Sequence, residues 1–150
     1  MFTGEYKHSV DKKGRSSVPA EMREVLKTEY DERFIVTKSL LGTCLWAFPY
    51  TEWKKLADKI GESGIGSRQL IRLKRKLFPA ARTCPVDKAG RILLPEPLRE
   101  YAGIEDDCIF ASAGRYVEIW RPDLWEEEML AVDDDASADA ILDTMADLGL

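Results

Sequence analysis

Apolar and polar positions change period several times along the chain, and each change marks an element. Tyr6, His8 and Val10 alternate with Glu5, Lys7 and Ser9, as on a strand with one covered side. After a polar break, Arg15 to Val18 reads as a second short strand. Pro19 suits the first turn of the helix that follows, to about Thr28, because its missing N–H needs no partner there. Phe34 to Thr37 and Cys44 to Phe48 are apolar runs of strand length, the second ended by Pro49. Thr51 then caps a helix with Trp53, Leu56, Ala57 and Ile60 at helical spacing. Ser67 caps another, with Leu70, Leu73 and Leu77 on one face and Arg68, Arg72, Arg75 and Lys76 largely opposite.

The same plan then starts again. Arg82 to Val86 and Arg91 to Leu94 are short strands around a polar turn. Pro95 to Ala102 is a helix, with Gly103 as its stop. Cys108 to Ala111 and Tyr116 to Trp120 are strands. At an offset of 76, Val10-Asp11-Lys12 meets Val86-Asp87-Lys88, Gly14-Arg15 meets Gly90-Arg91, Val18-Pro19 meets Leu94-Pro95, and Met22-Arg23-Glu24 meets Leu98-Arg99-Glu100. So dense a match at one offset is an internal duplication.

In each copy the turn has a mechanical reading. An Asp at its start can accept from the backbone two residues on, and a Gly at its end tolerates positive φ. Asp11 with Arg15, and Asp87 with Arg91, then pair across the neck of a hairpin.

Charge changes the picture only once its distribution is read. The net charge of −5 would argue against a polyanionic partner. Yet residues 126–150 hold nine Asp/Glu and no Lys or Arg, whereas the other 125 hold 22 Lys/Arg against 18 Asp/Glu. A mildly basic body therefore carries an acidic tail. In that tail Ile141, Leu142, Met145 and Leu148 can form an apolar stripe on a short helix, marginal alone.

Candidate chemistry is sparse. Cys44, Cys84 and Cys108 form no C-x-x-C pair and read as buried small hydrophobes rather than a disulfide or zinc set. His8 is the sole histidine. Gly61 to Gly66 is glycine-rich but lacks the Lys-Ser/Thr of a phosphate loop, and no Gly-x-Ser-x-Gly or HExxH occurs. We expect no enzyme activity, cofactor or metal. No membrane-length apolar run or signal pattern is present, so a cytoplasmic chain is expected. A cationic ribbon tip suits DNA instead. Lys12 and Lys13 can neutralise phosphates, Arg15 can bind guanine bidentately, and Lys7 and His8 can add backbone contacts. The second copy has Lys88-Ala89 in place of Lys12-Lys13, so Lys88 and Arg91 form a weaker, more structural site. The competing reading is an oligomeric interaction module in which the Asp–Arg pairs only lock turns and the basic helix meets a protein.

The doubled D-K-x-G-R, each followed by an aliphatic-Pro pair and a Leu/Met-Arg-Glu, resembles the MraZ family of AbrB/SpoVT-like DNA-binding proteins, as does the opening Met1-Phe2 with Gly4-Glu5-Tyr6. The likeness runs to about Trp125; Ser16 departs from it, since the family places an apolar residue there. The resemblance implies a β-rich α+β fold, a tandem-duplicated swapped-hairpin (double-psi) β-barrel with short flanking helices. Its division would be repeat 1 at 5–51, a helical linker at 52–80, repeat 2 at 81–124 and the acidic tail at 125–150. It also implies an octamer-like homo-oligomeric ring on the nucleoid that binds double-stranded DNA, with neither a membrane nor a small-molecule substrate as partner. Arg15, Lys12, Lys13, Lys7, His8, Lys88 and Arg91 would contact short G-rich direct repeats upstream of the division and cell-wall gene cluster that includes the protein's own gene. Asp11, Gly14, Asp87 and Gly90 would hold the hairpins.

Overall fold

The computed structural model describes residues 1–62 and 64–149. Ser63, inside the expected Gly61–Gly66 junction, and Leu150, the end of the acidic tail, lie outside the described residues. The first copy contributes β1 (Glu5–Ser9), β2 (Arg15–Ser17), α1 (Ala20–Glu29), β3 (Arg33–Lys38), β4 (Leu45–Pro49) and α2 (Tyr50–Gly61). After α3 (Arg68–Leu77) the series recurs as β5 (Arg82–Pro85), β6 (Arg91–Leu93), α4 (Glu96–Ala102), β7 (Asp107–Ser112), β8 (Val117–Trp120) and α5 (Pro122–Val132). A final helix, α6, spans Asp135–Asp147.

Pairing crosses between the copies, which corrects the expected hairpins. β1 does not turn back onto β2; it pairs antiparallel with β7, while β2 pairs with β6. The six-stranded sheet has the order β1-β7-β8-β4-β3-β5, and β2-β6 is a separate ribbon. Exchanging the copies (β1 for β5, β3 for β7, β4 for β8) reverses the order onto itself, so a pseudo-two-fold axis runs between β4 and β8. β1 and β2 meet at the Val10–Ser16 bridge and through the Ser16 hydroxyl, which donates to the Ser9 carbonyl, and then diverge to partners in the other copy. The fold is α+β, as expected, but among the described residues helices hold more of the chain than strands, so it is not β-rich, and the pairing is an open sheet plus a ribbon, not a closed barrel.

Two helix starts also shift. Pro19 is the residue before α1, not its first residue, with extended ψ of 138°. Thr51 lies inside α2, which Pro49 precedes. Ser67 caps α3 as expected, accepting from the Leu70 N–H. Gly103 ends α4 in the left-handed region.

One core is shared by equivalent positions of both copies. Val18 and Leu94, Met22 and Leu98, and Phe34 and Phe110 are all buried in it. It lies between one face of the six-stranded sheet and the layer made by α1, α4 and the ribbon. Ser16 is buried beside Ile92 in that layer, and its hydroxyl donates to the Ser9 carbonyl at 2.9 Å. That bond satisfies the polar group standing where an apolar residue was expected. On the opposite sheet face a smaller cluster, with Ile109, Ala111 and Trp120, is covered by Leu124 and Trp125 of α5.

Candidate nucleic-acid interface

Each charged turn is built from its Asp outward. Asp11 Oδ1 accepts from the Lys13 N–H at 3.0 Å and from the Arg15 N–H at 2.9 Å. Its Oδ2 accepts from Arg15 Nε at 2.8 Å, which pins the guanidinium at the neck of the turn. The backbone closes the loop through Asp11 N–H to Arg15 O and Gly14 N–H to Asp11 O. These donors, the Arg15 N–H foremost, hold the Asp11 carboxyl below the ordinary carboxylate range. The pair consumes only Nε of Arg15, so the two terminal amino groups are left for another acceptor.

The second turn repeats this geometry. Asp87 accepts from the Ala89 and Arg91 N–H groups, each at 2.9 Å, and from Arg91 Nε at 3.3 Å. Its carboxyl is lowered for the same reason, the Arg91 N–H first. Each turn is also braced by the other copy. Leu94 N–H donates to Gly14 O and Val18 N–H donates to Gly90 O. Gly14 has φ +89°, and a Cβ there would meet Leu94 O at 2.9 Å. The Arg99 side chain lies over Gly14, and that of Arg23 over Gly90.

The strand exchange brings the two turns onto one surface. In the β2-β6 ribbon, Arg15 faces Leu93, Ser16 faces Ile92 and Ser17 faces Arg91. Ser16 and Ile92 point into the core, so Arg15, Ser17, Arg91 and Leu93 share the outer face. Because the strands are antiparallel, the two turns flank this face at opposite ends. Lys12, Lys13 and Lys88 are exposed in them, and Leu93, across from Arg15, is 54% exposed. The projecting ribbon is thus made by both copies together, not by one hairpin.

Two expected residues fall elsewhere. Lys7 lies on the α5 side of the sheet, opposite the ribbon, in a groove with Trp125, Met129 and Leu130. His8 is half-buried, with its ring edge-on to Phe110 at 6.0 Å between centroids. Sequence reasoning missed Ser17 and Leu93 on the ribbon and the bracing role of Arg23 and Arg99. The last two were signalled by their match at the common offset, but nothing in the pattern said that each helix crosses to the other copy's turn.

No grouping of three or more His, Cys, Asp or Glu side chains suited to a metal exists among the described residues. The cysteines are buried and free; burial pushes the thiols of Cys44 and Cys84 up to about 12 and that of Cys108 to about 11. No helix among the described residues is long and apolar enough to cross a membrane.

A duplicated α+β fold with one Asp-braced cationic turn per copy defines a class of small two-repeat proteins. Comparison with known proteins gives the family. The family model described as "MraZ protein, putative antitoxin-like" matches in two stretches, residues 1–69 and 77–148. The chain is 41% identical to the transcriptional regulator MraZ of Acetivibrio thermocellus over 150 residues, all of both chains. It is 39% identical to that of Roseiflexus sp. (strain RS-1) over 137 residues, 91% of this chain and 92% of the relative. With that of Carboxydothermus hydrogenoformans it shares 43% over 125 residues, 83% and 84% of the two. The chain belongs to the MraZ family.

Proposed function

We propose that the chain is a DNA-binding transcriptional regulator whose contact surface is the outer face of the β2-β6 ribbon with its two flanking turns. The observation that carries this reading is Arg15, held through Nε by Asp11 while its terminal amino groups stay available. A guanidinium so fixed loses little freedom on meeting the O6 and N7 acceptors of guanine. Lys12, Lys13 and Lys88 neutralise phosphates on either side, and Arg91 takes a secondary, more structural part. A two-stranded ribbon fits the major groove. His8 and Lys7, set back from the ribbon, play at most an indirect part.

One such face makes few contacts, so its affinity is weak and salt-sensitive. Several copies on one assembly raise the effective concentration of each successive face. The reading is therefore of a cytoplasmic, nucleoid-associated ring, octamer-like, on short G-rich direct repeats upstream of a division and cell-wall gene cluster including its own gene. Within it each subunit works as two interleaved repeats, with no enzymatic role and no cofactor. The names of the relatives, transcriptional regulators, support this class. Gel shifts at low salt with Arg15→Ala test it. The variant should remain assembled and bind repeats markedly more weakly; binding as tight as the parent would remove Arg15 from the interface.

A further inference from the structure

The fold builds one groove twice, and the two copies treat it differently. In the first copy it lies between the amino terminus and α1, against Glu21, Met22 and Val25. The buried Phe2 lines it too, and only about 30 Å3 is left. Beside it the Tyr6 hydroxyl donates to the Glu21 carboxylate. In the second copy the same face of α4 presents Pro97, Leu98 and Tyr101, the residues at the offset of 76. Here about 320 Å3 is open.

The open groove is also recharged. At the same offset Arg82 stands where the first copy has Tyr6, and Pro97 where it has Glu21. Lys38, Arg75 and Lys76 join Arg82 around it, and no carboxylate lines it. Among the described residues none of these four cations is in an ion pair. Two parts of the lining are fixed in advance. Arg82 Nη1 donates to the carbonyls of Pro79 and Ala81, each at 2.9 Å, which leaves Nε and the other amino group for a ligand. The Tyr101 hydroxyl donates to the carbonyls of Ser39 and Gly42 at 3.3 and 2.8 Å, and Lys38 Nζ lies 5.0 Å from the centroid of the ring.

Like charges gathered around one space repel until an anion joins them. A single carboxylate would leave most of that repulsion in place. A diphosphate brings several negative charges, and its oxygens suit the forked donors of arginine. The rest of the lining asks for more than phosphate. Tyr101, Pro95 and Pro97 form an apolar wall, which suits the flat face of a base. A concave site that joins an apolar wall to a few fixed charges is the form a small ligand takes, and the volume is at the lower end for such sites. We propose that this groove binds a nucleoside diphosphate, with the diphosphate on Arg75, Lys76 and Arg82 and the base against Tyr101 and Pro97. The site uses none of Lys12, Lys13 and Arg15, so it does not rest on the DNA contact.

Isothermal titration calorimetry of the full-length protein tests it, with ADP, GDP, CDP and UDP as probes and adenosine and inorganic pyrophosphate as the separate halves. At least one of the four should bind about tenfold or more tightly than either half. Arg75→Glu with Arg82→Glu should weaken that binding by about tenfold or more, and so should Pro97→Glu, which installs the carboxylate of the first copy. Arg75→Gln with Lys76→Gln removes charge without reversing it and keeps the test open should the glutamates perturb the fold. No heat from any of the four overturns the proposal. Pyrophosphate binding as tightly as every diphosphate makes the groove a bare anion patch and overturns it too. Parent-like affinity in the groove variants places the nucleotide elsewhere on the chain, against the proposal. Groove variants that lose DNA as fully as Arg15→Ala, with no nucleotide preference in the parent, assign the cations to DNA phosphate and also overturn it.

Discussion

The two copies agree where they meet and differ where they face outward. Both turns have the same Asp cradle, the same Gly–backbone brace from the other copy and the same Arg lid. Their tips do not agree: Lys12-Lys13 in one, Lys88-Ala89 in the other. The difference separates two demands on one motif. The interleaved fold needs both braced turns, because each secures the other copy's strand. Tip charge carries no such demand of the fold, so the two tips need not be equal.

The comparison breaks most readily at the glycines. Gly14→Ala forces a side chain into positive φ against the Leu94 carbonyl, which belongs to the backbone and cannot swing away. The cost should be about 2–4 kcal/mol. The three atoms nearest a Cβ at Gly90 all belong to the Arg23 side chain, which can move, so Gly90→Ala should cost about 1–2 kcal/mol. Urea unfolding of both variants measures this, and equal costs would contradict the ranking.

Next in size is the arginine pair. Arg15→Ala should lower DNA affinity by about 1–3 kcal/mol for each guanine that the parent side chain reads, with Arg91→Ala costing less. A larger loss from Arg91→Ala would reverse the division of labour between the copies. Smaller again is the tip charge. Ala89→Lys should steepen the dependence of log affinity on log salt by about 0.9 for each further phosphate neutralised, and Lys13→Ala should flatten it by as much. An unchanged slope in both would place the tips away from phosphate.

The least effect is expected from acid. Asp11 and Asp87 have folded pKa values below their unfolded ones. Their stabilisation is therefore complete above the unfolded carboxylate pKa, about 4, and is lost as pH falls through the folded values. Both carboxyls are exposed, so the acid limb should be shallow. Asp11→Asn with Asp87→Asn should flatten it further; the same slope in parent and double variant would show that the cradles are not its source.

Most of the elements were legible because their signals are local. Alternation at Tyr6, His8 and Val10, the Ser67 cap and the Gly103 stop each act within one turn or one strand. The turns were legible for the same reason, since Asp11, Lys13, Gly14 and Arg15 satisfy one another within five residues. Strand partners were not. Arg15 to Ser17 is too short to carry a register signal, and its alternation fits β1 or β6 equally well. The exchange with β6 is decided by the distant contacts of Gly14, Leu94 and Arg99. Lys7 stands exposed on the α5 side of the sheet because alternation sets it opposite Tyr6 and His8.

Joint action of several weak ribbon faces is best measured by equilibrium binding to duplexes carrying a single short repeat or tandem repeats at fixed salt. Affinity should rise by about 100-fold or more from the single to the tandem site as further faces engage. Equal affinity for the two duplexes would mean that one face suffices and would contradict joint binding.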